Sequence, residues 1–284
     1  MKSITRIHTA HYQPIADLVT YTAMPAGSLE HIDPFLLLNH HGHQVYSKHN
    51  HGLPFGPHPH RGMETVTFIL EGDIMHRDSG GHESVIESGG VQWMTAGSGL
   101  IHAETSSDRF RSEGGPLEIL QLWLNLPGRL KMTAPKYTGL QKDNIPSVAL
   151  DNGNVTLNMI SGNWQGNTGA FTSLTGIALS TVYFKAGGKL NTTVPADENI
   201  LFYVIRGSLK VNEATAETHQ LVEFGQEGDD QLAIEATDDS TLLFGHGAPL
   251  HETIVAQGPF VMNTAEEIAE AYSDYREGKF GTWG

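Results

Sequence analysis

HPHRGMETVTFILEG (residues 58–72) and GGVQWMTAGSGLIHAE (residues 89–104) are the stretches whose reading decides the fold. In the first, His58 and His60 stand at i and i+2. They run into a β-branched, apolar segment, residues 65–70, that ends in a Glu71-Gly72 turn. In the second, a Gly97-Ser98-Gly99 turn leads into His102 and Glu104, again at i and i+2. Side chains two apart on a strand point to the same face, roughly 7 Å apart along it. Two such strands can therefore present three imidazoles and a carboxylate (His58, His60, His102 and Glu104) to one point inside a β-structure. That is a ligand set for a mononuclear metal. A single His-x-His pair arises easily by chance among sixteen histidines. Two metal-type pairs, each joined to a strand and a hairpin-sized interval apart, are far rarer. The other histidines, His40, His41, His43, His76, His82 and His246 among them, are read as solvated or hydrogen-bonded side chains.

Outward from this stretch, short strands alternate with Gly-rich turns. Residues 34–38 form an apolar run that reads as a buried strand, and residues 39–57, rich in His, Gly and Pro, read as a loop. LEILQLWLNL (residues 117–126) is the longest apolar strand of the first half, and no helix is expected there. Such closely spaced strands are the signature of a sandwich or barrel. Residues 132–146 carry Pro135 and Pro146 with polar filler and read as a connector. A second run of strands follows at residues 155–160, 179–185, 199–211, 231–235 and 240–245. ETVTFILEG (residues 64–72) resembles NILFYVIRG (residues 199–207). Setting Gly72 on Gly207 places Thr193 and Pro195 where His58 and His60 stand. The second half thus repeats the architecture without the ligands. At the end of the chain, Asn263 or Thr264 caps a helix with Glu266 and Glu267 in its first turn and an apolar stripe of Ile268, Ala271, Tyr272 and Tyr275. The expected organisation is all-β, with two tandem barrels and one C-terminal helix. Residues 1–131 would form the metal-bearing barrel, 132–147 a linker, and 148–284 a ligand-free barrel plus the helix.

Composition excludes several functions. A net charge of −15, with no Lys/Arg cluster, argues against direct binding of nucleic acid, which needs a basic face. The absence of cysteine removes disulfides and thiolate metal sites and is compatible with a reducing cytosol. The N-terminal stretch MKSITRIHTAHYQPIADL lacks the apolar core of a signal peptide, and no run approaches a membrane span. A cytoplasmic protein that does not engage membranes is expected. A monomer is expected too, since two barrels can cover each other's apolar faces.

The sequence resembles the pirins, a family of the cupin superfamily. The resemblance rests on DPFLLLNH (residues 33–40), HPHRGMETVTFILEG, QWMTAGSGLIHAE (residues 92–104), LQLWLNL (residues 120–126) and GPFVMNTAEEI (residues 258–268). These blocks occur in the family's order over most of the chain. The resemblance implies two cupin-type (jelly-roll) β-barrels with one metal, usually iron, in the N-terminal one. It assigns the ligands to His58, His60, His102 and Glu104. Some pirins are quercetinases, dioxygenases that open the central ring of the flavonol quercetin, and animal members are described as nuclear cofactors of transcription factors. The general cupin pattern would instead nominate Glu64 as the carboxylate. It lies four residues past His60, roughly 13 Å along a straight strand, and Gly62 would have to bend the chain to bring it back. Similarity to the pirins favours Glu104 and leaves Glu64 a supporting candidate.

Three imidazoles and a carboxylate suit one divalent metal, Fe, Mn, Co, Ni, Cu or Zn, and the resemblance to the pirins puts Fe(II) first. Four protein ligands on an octahedral ion leave positions for a small aromatic substrate such as a flavonol and for dioxygen. Glu104 is then the expected catalytic base for the flavonol 3-hydroxyl, with the metal as Lewis acid. Trp93, Met94, Phe55 and Trp123 are candidates for an aromatic pocket, though each also suits barrel core. The competing expectation is a non-catalytic, redox-sensing metal protein that acts through a protein partner.

Overall fold

The computed structural model describes residues 1–228 and 230–283, with the backbone alone for 226–228. It resolves into two compact units that are discontinuous in sequence. One comprises Tyr12–Thr20, Leu36–Lys142 and Leu250–Gly284; the other comprises Met1–His11, Tyr21–Phe35 and Asp143–Pro249. The chain's two ends are thus exchanged relative to the continuous division expected from the sequence. The terminal helix belongs with the first barrel, and the N-terminal strand Lys2–Thr9 belongs with the second.

In the first unit, strands β1 (Phe35–Tyr46), β2 (Phe55–His60), β3 (Met63–Glu71), β4 (Asp73–Asp78), β5 (Glu83–Glu87), β6 (Val91–Thr95) and β7 (Leu100–Thr105) precede a short helix α1 (Asp108–Glu113). Strands β8 (Gly115–Asn125) and β9 (Lys136–Leu140) complete the barrel. One sheet runs β9-β6-β3-β8-β1 and the other β2-β7-β4-β5. Every residue of β3 from Met63 to Ile69 is buried, which is why its sequence reads as an apolar run and not as an alternation. The core gathers Ile69, Ile74, Ile86, Leu117 and Ile119 around Phe110.

Three local expectations need correction. Strand β1 runs on to Tyr46 through residues read as loop, and it buries His40 and His41. His40 Nε2 lies 2.9 Å from Glu118 Oε1, and His41 Nδ1 lies 2.9 Å from Thr20 Oγ1. Polar residues can sit in a strand interior when each finds such a partner, and a single sequence does not reveal the partner. Next, α1 interrupts the strands. Its N-cap Ser107 accepts from the Phe110 amide, and Phe110 fills the core. Six residues are too few for a helical period to be legible. Finally, the expected linker contains β9, which pairs with β6 from Lys136↔Thr95 to Leu140↔Val91.

The second unit holds β10 (Ser147–Leu150), β11 (Val155–Ser161), β12 (Ala178–Phe184), β13 (Lys189–Thr193), β14 (Asn199–Arg206), β15 (Ser208–Val211), β16 (Ala214–Glu217), β17 (Gln220–Gly228), β18 (Gln231–Ala236) and β19 (Ser240–Gly247). Its larger sheet begins with Lys2–Thr9 and continues β17-β14-β19-β12-β11-β10. The smaller one runs β13-β18-β15-β16. That order matches β2-β7-β4-β5, and the central pair β14–β19 matches β3–β8, so the repeat read from sequence is a repeat of topology.

Helix α2 (Ala265–Arg276) starts at Thr264 in a full capping box with Glu267. With the strands Val255–Gln257 and Phe260–Met262 it buries Phe260, Met262, Ile268, Ala271 and Phe280 against Ile101 of β7. Arg61 reaches Asp274 at 2.8 Å and lies over the Phe280 ring at 4.7 Å. No helix among the described residues is long and apolar enough to cross a membrane.

Candidate metal centre

Strands β2 and β7 are adjacent and antiparallel, with His58 opposite His102 and His60 opposite Leu100. This register brings the three imidazoles together. Ring centroids lie 4.9 Å apart for His58–His60, 4.4 Å for His58–His102 and 5.0 Å for His60–His102. One nitrogen of each lies within 4.8 Å of the others, the spacing of a shared ion.

Hydrogen bonding sorts the ring atoms. His58 Nδ1 donates to Gly56 O at 2.7 Å and His60 Nδ1 to Pro259 O at 3.1 Å. Each bond fixes the tautomer whose Nε2 lone pair is free to bind a metal, the usual outer-shell arrangement of a ligating imidazole. His102 is fully buried, and neither of its nitrogens has a hydrogen-bond partner among the described residues. Orphaned polar atoms at such depth are costly unless something binds them. A metal ion would do so for one of the two. Burial pushes the His60 imidazole down to about 3, with His58 adding to the effect. It likewise holds His102 well below the ordinary range, reinforced by His60, His58 and His76. Both rings are therefore neutral at pH 7, the form a metal requires. The donor set fits a first-row divalent ion.

Glu104 lies two residues along β7 from His102 and is buried, but its carboxylate stands outside the three-imidazole group. A row of residues in the facing sheet holds it. Gln92 on β6 pairs with Thr67 on β3, and Thr67 pairs with Gln121 on β8. Thr67 Oγ1 donates to Glu104 Oε1 at 2.9 Å, Gln92 Nε2 donates to the same oxygen, and Gln121 Nε2 donates to Oε2 at 2.6 Å. Glu64, the other candidate, accepts from Thr95 Oγ1 at 2.6 Å, and burial raises its carboxyl above the usual range. It too lies outside the imidazole group.

Sequence reading missed further residues here. His76 pairs with Glu104 across β4 and β7, is fully buried, and sits 5.5 Å from the His102 ring. Its Nε2 lies 3.0 Å from Asp78 Oδ2. Burial alone would raise the Asp78 carboxyl, but bonds from His76 and His82 outweigh it and bring it down to about 2. Tyr137, on the strand mistaken for linker, stacks on His76 at 3.8 Å and donates to Gln92 Oε1 at 3.1 Å. Only the parity of His76 with Asp78 hinted at this. Of the aromatic candidates, Trp123 meets His60 edge-on at 5.2 Å. Phe55 lies 5.2 Å from His41, and Trp93 and Met94 are buried.

Comparison with known proteins agrees with the geometry. The Pirin family model matches residues 17–124, and the Pirin C-terminal cupin domain matches residues 180–281. A pirin-like protein of Caulobacter vibrioides is 39% identical over 252 residues, 87% of each chain. Pirin-1 of Arabidopsis thaliana is 36% identical over 255 residues, 88% of this chain and 84% of its own. A crystal structure of quercetin 2,3-dioxygenase from Acinetobacter baumannii superposes with a TM-score of 0.92 at 35% identity, covering 99% of both chains. With two cupin barrels, a three-histidine cluster in the first and these relatives over nearly its whole length, the chain belongs to the pirin family.

Proposed function

We propose that this protein is a metal-dependent dioxygenase of the quercetin 2,3-dioxygenase type, with His58, His60, His102 and Glu104 as the metal's ligands and Glu104 as catalytic base. The observation that carries the proposal is a buried carboxylate, held by three donors, two residues from one member of a three-imidazole cluster. The similarity to a quercetin 2,3-dioxygenase supports the choice of substrate class.

Iron(II) bound by these residues would act as a Lewis acid for a substrate oxygen and supply redox chemistry toward dioxygen. The chain's own part is positioning and proton transfer. The Gly56 and Pro259 carbonyls aim His58 and His60, so the ligands need little rearrangement on loading. Glu104 takes the proton of the flavonol 3-hydroxyl, and the Gln92–Thr67–Gln121 row holds its carboxylate in place. Trp123, edge-on to His60, offers an aromatic surface to a flat substrate.

The test is anaerobic loading of purified protein with iron(II), followed by oxygen uptake with quercetin, beside Glu104→Gln. Uptake of one dioxygen per flavonol, lost in the variant, is the expected result. Full metal occupancy without uptake would overturn the dioxygenase reading and favour a redox-sensing protein that acts through a protein partner.

A further inference from the structure

The second barrel lacks metal ligands but not a cavity. A cleft of about 620 Å³ opens within this unit, lined in part by Asn191 and Thr193 of β13 and Gln231 of β18. In the smaller sheet β13 and β18 hold the places that β2 and β7 hold in the first barrel, the strands that carry His58, His60 and His102. The cleft thus opens at strands equivalent to those of the metal centre, where the exposed Asn191, Thr193 and Gln231 alternate with the inward-facing Leu190, Leu232 and Ile234.

Three features describe the ligand it would take. Among the described residues lining it there is no Asp, Glu, Lys or Arg side chain, though Met1 at the start of the chain also lines it. The walls are instead dense in side-chain amides, from Asn163, Gln165, Asn191 and Gln231, each both donor and acceptor. One aromatic, Trp164, stands among them, and its buried indole N–H has no hydrogen-bond partner among the described residues. His246 completes the wall. Its Nδ1 donates to Glu198, which leaves Nε2 as the ring atom available to a ligand hydroxyl.

We propose that this cleft binds a neutral polyhydroxylated ligand of mono- to disaccharide size. The sugar's C–H face would stack on Trp164 while its hydroxyls bond the amides and His246. A flat polyphenol fits less well, because it needs apolar walls on both faces and the cleft has a single aromatic. The volume lies within the range of small-molecule sites. This inference is independent of the activity proposed for the first barrel.

The experiment is titration of the whole protein with maltose, read by tryptophan fluorescence and by saturation-transfer NMR on the sugar. Saturable binding with a Kd on the order of 1 mM is expected. Trp164→Ala and Asn191→Ala should each weaken it at least tenfold. Asn191 is exposed, so its variant keeps the fold even if the Trp164 variant does not. Absence of saturable maltose binding, or binding untouched by both substitutions, would overturn the proposal.

Discussion

At the scale of single residues, the site's chemistry follows from burial. His60 and His102 lie too deep to carry a proton readily, with His60 brought down to about 3, so the folded apo-protein binds fewer protons than the unfolded chain from about pH 6.5 downward. Stability therefore falls on acidification through that window and is constant above it as far as these groups are concerned. Urea unfolding of metal-free protein should show a loss of a few kcal/mol between pH 7 and pH 4, and His60→Gln should flatten the slope. The metal ligands and the residues that aim the carboxylate should separate cleanly. His102→Ala should weaken metal binding by about 100-fold or more, measured by chelator competition. Gln121→Leu removes only the donor to Glu104 Oε2. It should weaken metal binding less than His102→Ala does and lower kcat by about 10–100-fold, the range seen when a residue that orients a ligand is lost.

At the scale of elements, Gly62 decides how β2 passes into β3. Its φ is +81°, and a Cβ there would lie 2.0 Å from Val261 O. The glycine thus combines a left-handed turn with close approach of the Phe260–Met262 strand. Lys131 secures the same junction, its Nζ donating to Gly62 O, Asn125 Oδ1 and Val261 O at 2.8–3.0 Å, and burial lowers its ammonium to about 8. Gly62→Ala should cost about 3 kcal/mol, from a strained φ together with overpacking. Thermal unfolding would measure it. Because His60 is two residues away, weaker metal binding should accompany the loss. A neutral effect would mean that the C-terminal segment docks more loosely than the structure indicates.

At the scale of the whole molecule, the feature that matters is the exchange of chain ends. The first barrel is completed by residues 250–284, which contribute Phe260, Met262, Ile268, Ala271 and Phe280 to a buried cluster and the Pro259 carbonyl to His60. Burying five such side chains is worth on the order of 10 kcal/mol, comparable to the entire stability of a domain. A fragment of residues 12–142 should therefore fail to fold. The same fragment joined to residues 250–284 through a flexible linker should fold and bind metal. Circular dichroism and gel filtration would tell the two apart, and an independently folded short fragment would contradict the division seen here.

The sequence by itself determined the fold class, the repeat and the three-imidazole cluster, because each is written in short-range pattern. Strand parity placed His58 with His60 and His102 with Glu104, Gly-rich turns marked the strand ends, and an N-cap residue followed by acids marked the start of α2. Only the tertiary structure decided what depends on pairing between distant segments. It placed His76 and Tyr137 beside the site, set the Gln92–Thr67–Gln121 row against Glu104, and carried the chain's last residues back to the first barrel. Periodicity tells which face of an element is buried. It does not tell which surface that face will meet, since apolar burial has no direction and many partners would satisfy it.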